Sequence, residues 1–379
     1  MFRALVLAPD PAFAKAVERV ALESRHLLVN KTFNALPDSP YEVSRLISSF
    51  DPEVVLMEST NVEAALSAAE KIRDQAPEVG VLALGGRLPL AIEQQFDAIG
   101  VTALNGAFSP DQFLRAIKDA VHRARRNTFS HLFAFLPGKA GSGSTTVALN
   151  LAAAIVQELQ KKVFVLETDL HSGVMSMLLD VKPRIPLIDA LQNADSLDYS
   201  VWLNYVVQAH GVDFLLADRN KKTPLPSWMH YHQLLRFAAG RYDALIVDLP
   251  EVVNDATAEL VQYAKWTFVV CTPELTSLRL ADQRIRELRE KGAPPDRLRV
   301  VLNRWHRSDM KPEEVAELLQ HPVTCVIRND YRVVSKAINA NRPVSMDSDV
   351  GRGLVDFAKK LMANPKEAQA PPKPRFSFF

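Results

Sequence analysis

The sequence predicts an α/β protein made of two doubly wound parallel-sheet domains. Three observations predict it. Short apolar runs alternate with helical patterns along the whole chain, the signature of parallel strands covered by crossover helices. Most runs in the second half are continuous rather than alternating, as in strands buried on both faces. At 379 residues the chain also exceeds one ordinary core,.

In the first series, apolar runs at 2–7, 54–57 and 79–84 alternate with helical patterns at 11–24, 61–75 and 109–126. The basic, polar stretch Arg123-Ala124-Arg125-Arg126-Asn127-Thr128 reads as a boundary, which gives a first domain over 1–126. A fresh series of strands follows at 132–136, 163–166, 213–216, 244–247, 267–271, 299–302 and 323–327. Helical segments at 145–159 and 278–291 are among those separating them. This second domain spans 127–364, within the usual domain range. Residues 365–379 form a Pro-rich tail ending in Arg375-Phe376-Ser377-Phe378-Phe379. An extended, flexible tail is expected; its three aromatics also suit docking into a partner groove.

Composition narrows the function classes. Hydrophobic content of 47% with 23% charged residues is that of a folded globular chain,. Forty-five basic against 44 acidic residues leave a net charge of +1, so no global field draws the protein to nucleic acid or anionic membrane. Cys271 and Cys325 lie in apolar strand runs and read as free buried thiols in a reducing compartment. The N-terminus opens on a strand pattern without signal-peptide regions, and no apolar stretch approaches the ~18 residues of a membrane span. A cytoplasmic protein is expected.

The strongest motif is Gly138-Lys139-Ala140-Gly141-Ser142-Gly143-Ser144-Thr145-Thr146, between an apolar strand and a helical pattern. The glycines let backbone N–H groups close around a phosphate, and a helix start near Ser144 adds its positive end. Thr145 would offer its hydroxyl to Mg²⁺ and Thr146 would bond a phosphate oxygen. The ordinary P-loop lysine position is held by Ser144, so a point charge at the phosphates is missing there. A Gly/Ser-rich turn that merely caps a helix is the alternative reading. Further on, Glu167 and Asp169 end a strand at i, i+2, which puts both carboxylates on one side. Acidic residues at strand ends are also common without any function. Ala244 to Val247 deliver Asp248 to a sheet edge, where it would hold Mg²⁺ through water.

These residues resemble the deviant Walker motif of the ParA/MinD group, K-G-G-x-G-K-[ST]-T, with Asn150-Leu151-Ala152 matching the helix that follows. Within the group the chain is similar to the TadZ/CpaE branch of pilus-assembly proteins, which keeps the first lysine and often lacks the second. The resemblance covers nearly the whole chain except the tail. It implies that Lys139 is the signature lysine reaching across a dimer interface, with Ala140 in place of a glycine. It implies that Asp169 positions the attacking water, while Glu167 replaces the first acid of D-x-D. Asn303, followed by Arg304, matches the segment that recognises adenine. Asn329, in Arg328-Asn329-Asp330-Tyr331, matches a motif of the branch. The Thr272-Pro273-Glu274 turn fits the same pattern. The nucleotide-binding set is therefore Gly138, Lys139, Gly141, Ser142, Gly143, Ser144, Thr145, Thr146, Asn303, Arg304 and Asn329. Lys139 and Asp169 are the catalytic candidates; Thr145, Asp169 and Asp248 are the Mg²⁺ candidates.

The N-terminal part resembles a response-regulator receiver whose chemistry has decayed. Only Asp10 remains of the acidic pair; Glu58 stands at the acceptor position, Gly85 at the hydroxyl and Gly106 at the lysine. Phosphoryl transfer then has nothing to neutralise its charge. A fixed charge at Glu58 or, preferably, a protein-docking platform is expected. The arginines of 278–307 interleave with Asp282, Glu287 and Glu290, a pattern of a solvated helix face rather than a DNA patch. Residues 353–362 place Leu354, Phe357, Ala358 and Leu361 on one face, read as a closing core helix before a membrane-surface one. His230 and His232 lack further ligand candidates for a metal.

The sequence thus leads to the expectation of a homodimer binding ATP and Mg²⁺ with weak ATPase activity. By resemblance it would assemble or localise a Tad/Flp type IV pilus secretion machine, concentrated at a pole or membrane machine through protein partners. Two other readings stand beside it: a DNA-riding partition ATPase, and a nucleotide-free scaffold.

Overall fold

The computed structural model describes residues 2–363 except 87, 107, 195–196, 198 and 219–227. The predicted tail at 365–379 lies outside the described residues. The chain divides into two compact units, Met1–Ser130 and His131–Phe379.

In the first unit, β1 (Phe2–Leu7), β2 (Leu27–Phe33), β3 (Val54–Glu58), β4 (Gly80–Gly85) and β5 (Thr102–Asn105) form a parallel sheet. Its order, β2-β1-β3-β4-β5, is the flavodoxin-like doubly wound one. Successive side chains leave opposite faces of a strand. Ala4, Val6, Val54 and Leu56 therefore pack with Val17, Phe113 and Ile117 of helices Pro11–Ser24 and Pro110–Thr128. Leu5, Leu7, Val55 and Met57 pack with Val43, Ile72 and Phe96 of helices Pro40–Phe50, Val62–Gln75 and Leu90–Ala98. Burial on both faces is why β1, β3 and β4 read as apolar runs. The edge strand β2 (LLVNKTF) and the four-residue β5 are only partly buried, and neither carries such a run. Three helix starts are fixed by side-chain caps, Asp10, Ser39 and Asn61,.

The polar run 123–128, read above as a boundary, forms the end of helix Pro110–Thr128, and the first unit closes just after it at Ser130. Arginine is a good helix former and suits a helix C-terminus, and Ala124 is still buried in the unit.

The second unit contains β6 (Leu132–Pro137), β7 (Val163–Glu167), β8 (Val207–Ala209), β9 (Val212–Leu215), β10 (Ala244–Asp248), β11 (Trp266–Cys271), β12 (Leu298–Trp305) and β13 (Val323–Arg328). They form one sheet in the order β13-β12-β11-β6-β10-β7-β9-β8. All pairs are parallel except the edge hairpin β8·β9. Helices Ser144–Leu159 and Asp349–Met362 pack on the sheet, and Leu354, Phe357, Ala358 and Leu361 are buried in its core. Phe268 stacks on Phe135 and meets Phe357 edge-on, each at 5.1 Å. Cys271 and Cys325 are free and buried. Among the described residues no helix is long and apolar enough to cross a membrane.

The arginine-rich stretch does not gather on one open face. Arg297 is buried, donating to the carbonyls of Gln262 and Ala264. Arg299 lies over the Trp266 ring at 5.8 Å. Arg284 and Arg286 pair with Glu287 and Asp282.

Candidate functional site

Because β6 lies between β11 and β10, with β7 beyond β10, the segments leaving these four strands meet at the sheet's carboxyl edge. Open α/β sheets bind ligands at that edge. The loop 138–143 connects β6 to helix Ser144–Leu159 there. Gly138 enters it by extending the ladder beside β11, its N–H donating to Val270 O at 2.8 Å. Gly141 and Gly143 have φ of +77° and +91°, and Gly143 is the residue before the helix. A Cβ on Gly143 would stand 2.4 Å from Asn303 Nδ2. The register of β12 against β13 shifts between Leu302 and Trp305, and Arg304 has φ +56°; such a bulge re-aims side chains. Asn303 Nδ2 donates to Ser142 O at 2.8 Å, and its Oδ1 accepts from Arg304 N at 3.0 Å. Asn303 thus braces the loop. It also lines the cavity beside the loop.

Ser144 is buried at 4% exposure and carries no charge. Lys139 is half-buried. The Thr272 hydroxyl holds Glu274 below the usual carboxylate range against partial burial, its own backbone N–H helps, and the charges of Lys139 and Arg304 add smaller shares.

Thr145 Oγ1 donates to Asp248 Oδ2 at 2.7 Å. Asp248 is 4% exposed, and its other oxygen is buried without a hydrogen-bond partner among the described residues. Burial pushes its pKa up to about 8; the Thr145 hydrogen bond and, more weakly, the nearby Ser144 hydroxyl oppose this, and the charges of Glu167 and Asp169 add to it. A buried carboxylate oxygen lacking a partner, beside a hydroxyl and two further acids, suits a divalent cation. Thr168 donates twice to Asp248 O, from N at 3.0 Å and Oγ1 at 2.8 Å, which ties the segment carrying Asp169 to the end of β10.

Glu167 and Asp169 take different hydrogen-bond partners, although the charge of each bears on Asp248. Glu167 is 1% exposed and accepts Met175 N at 2.8 Å and Ala217 N at 3.1 Å. Burial raises its pKa to about 7 against these two donors. Asp169 is half-buried, and its Oδ1 accepts the N–H groups of His171 and Ser172. The chain turns after Glu167, so strand periodicity no longer governs Asp169. Both Glu167 oxygens are acceptors for backbone. Glu167→Gln therefore sets an NH₂ against one of those donors and should cost about 1–3 kcal/mol in urea denaturation.

A cavity of about 300 Å³ opens beside the helix end of the loop. Gly143, Thr146, Asn303, Arg304, Asn329 and helix Tyr331–Asn339 line it. Asn150 fixes its wall: Nδ2 donates to Thr146 O and Oδ1 accepts Val344 N, both at 2.7 Å. Asn329 Nδ2 donates to His306 Nε2 at 2.7 Å. The motif segments 303–304 and 329–339 are thereby brought to the cavity that borders the loop. Motif reading missed Glu251, whose carboxylate accepts Ala140 N at 3.0 Å; its place three residues after Asp248 was the available signal.

In the first unit Glu58 closes β3 and is buried at 8%. Its Oε2 accepts Asp10 N at 2.9 Å. A Cβ at Gly85 would lie 2.5 Å from Ser59 Oγ, so the space for a hydroxyl residue on β4 is already taken.

Fold and loop give the second unit the layout of an α/β domain with a phosphate loop after its first strand. The ParA family model, described as "NUBPL iron-transfer P-loop NTPase", matches residues 128–303. A putative septum site-determining protein MinD of Emiliania huxleyi is 26% identical over 249 residues, covering 63% of this chain and 89% of that protein. A ParA family ATPase from Chlorobium tepidum superposes with a TM-score of 0.55 at 24% identity, over 60% of this chain and 98% of that one. MinD of Pyrococcus horikoshii, solved with Mg-ADP, gives 0.50 at 22% identity, over 63% and 97%. The second unit is thus similar in sequence to the ParA family model over residues 128–303 and to MinD proteins, and it shares the fold of ParA/MinD ATPases.

Proposed function

We propose that this domain binds Mg–ATP and uses it to drive homodimerisation in an assembly or localisation factor similar to TadZ/CpaE. The observation that carries the reading is the continuity of the cavity with the loop at Gly143 and Thr146. A nucleoside in the cavity sets its phosphates directly on the loop N–H groups. Thr145 and the unpartnered oxygen of Asp248 would hold Mg²⁺, which neutralises phosphate charge. Asp169 faces the same pair electrostatically and is the candidate for orienting water.

Hydrolysis is slow on this reading, because Ser144 supplies no cation where phosphate charge develops. Lys139 is left to supply that charge across the dimer. Bound nucleotide then works as a switch through its differential affinity for monomer and dimer. The first unit serves as a docking platform of receiver-like topology, and the dimer acts in a pilus secretion machine through protein partners.

Calorimetric titration with ATP, ADP and GTP, with and without Mg²⁺, tests the reading. Mg²⁺-dependent binding of ATP is expected; silence with all three would leave a passive scaffold. Lys139→Ala should abolish ATP-dependent dimerisation in sedimentation velocity while the protein stays folded. A mutant that dimerises as the parent does would end the role of Lys139 across the interface.

A further inference from the structure

The contact between Glu251 and the phosphate loop is not explained by the family features. Glu251 leaves β10 three residues after Asp248, and its Oε1 accepts Ala140 N at 3.0 Å. The loop is thus tied twice to the exit of β10: at its helix end through Thr145 and Asp248, and at its strand end through Ala140 and Glu251. The first tie joins a hydroxyl to a buried carboxylate, the pair that would meet a cation. The second places an anion against a backbone donor of a loop suited to anions.

The position of this carboxylate along the phosphate path can be read from the cavity. Gly143 and Thr146 line it, so a nucleotide seated there runs its phosphates away from the cavity, toward the strand end of the loop. The last phosphate arrives where Glu251 stands. Two like charges cannot share one donor at hydrogen-bond distance without a large penalty. Glu251 has a second place to go. Arg284 NH2 lies 4.0 Å from Oε1, just at ion-pair range, while Arg284 NH1 holds Glu287 at 2.5 Å. A small rotation of the Glu251 side chain exchanges the Ala140 amide for the guanidinium.

We infer that Glu251 is an internal anion that the terminal phosphate displaces from Ala140 onto Arg284, and that it sets the preference between nucleoside tri- and diphosphate. The inference rests on the proposed seating of the nucleoside in the cavity. A diphosphate stops short of Ala140 and leaves Glu251 in place. A triphosphate must move it, and the Arg284 pairing offsets part of the cost. Helix Leu275–Glu290, which carries Arg284, thereby receives a charge signal that only the triphosphate sends.

Calorimetric titration of ATP and ADP, with Mg²⁺, into the parent chain, Glu251→Gln, Arg284→Gln and the double variant tests this. Glutamine keeps an acceptor for the Ala140 amide and removes only the charge. Glu251→Gln should tighten ATP about tenfold and leave ADP within about twofold. Arg284→Gln should weaken ATP more than ADP, and this effect should vanish in the Glu251→Gln background. An unchanged ATP-to-ADP ratio in Glu251→Gln overturns the inference while nucleotide binding stands. Weaker ATP binding in that variant overturns it too, because the carboxylate would then be supporting the phosphates. If neither nucleotide binds the parent or Glu251→Gln, the nucleotide reading itself fails and takes this inference with it.

Discussion

Gly143→Ala is expected to weaken ATP binding by at least about 100-fold, about 2.7 kcal/mol. Two independent effects add. Gly143 sits at φ +91°, where an L side chain costs about 1–2 kcal/mol. The new Cβ would also stand 2.4 Å from Asn303 Nδ2, so Asn303 must leave Ser142 O. The loop then loses its brace at the turn where backbone N–H groups must converge on phosphate. Calorimetry reads the affinity, and urea denaturation reads a stability loss of about 1–3 kcal/mol. Adding Asn303→Ala removes the clash but keeps the backbone strain, so it should restore part of the stability and little of the affinity. A Gly143→Ala protein that binds ATP within threefold of the parent would show that this turn does not shape the site.

Asp248→Asn is expected to stabilise the free protein and end Mg²⁺-dependent nucleotide binding. Folding raises this carboxyl from its ordinary 3.8 to about 8. Between those values the folded chain holds the proton and the unfolded chain does not. Stability therefore falls as pH rises through that window and levels above it. Asparagine keeps an acceptor for Thr145 and carries no charge. The variant's stability advantage should widen from pH 5 to pH 8, reaching about 2 kcal/mol or more and raising its melting temperature accordingly. Below pH 4 the two proteins should converge. Cation binding requires the ionised carboxylate, so Mg–ATP binding to the parent at pH 7 should release protons into the buffer. The variant should release none and bind about tenfold or more weakly. Equal melting curves across this pH range would mean that Asp248 is already ionised in the folded chain.

Much of the candidate site was legible because its signals are local. Positive-φ glycines, a strand of apolar residues before them and a helix pattern after them lie within one short stretch, and the helix starts at Ser144 as that stretch requires. Asp248 was readable for a similar reason: it follows a run buried on both faces and ends it. Glu167 shows the limit of such reading. Its place at a strand end matched Asp248, yet Met175 and Ala217 claim its oxygens. Periodicity fixes which face a residue leaves, whereas its partners come from segments that periodicity does not describe. β2 and β5 escaped notice because a partly buried strand has less apolar surface to announce it.

By itself the sequence determined the two α/β layouts, the loop chemistry and the missing lysine charge at Ser144. All of these depend on backbone freedom, burial pattern or side-chain type within a few neighbouring residues. Only the tertiary structure decided that Asn303 braces the loop, that Asn150 pins the cavity wall to Val344, and that Glu251 reaches Ala140 across 111 residues. Those contacts follow from strand order and register, which bring distant segments to one sheet edge, and no local stretch of sequence encodes that juxtaposition.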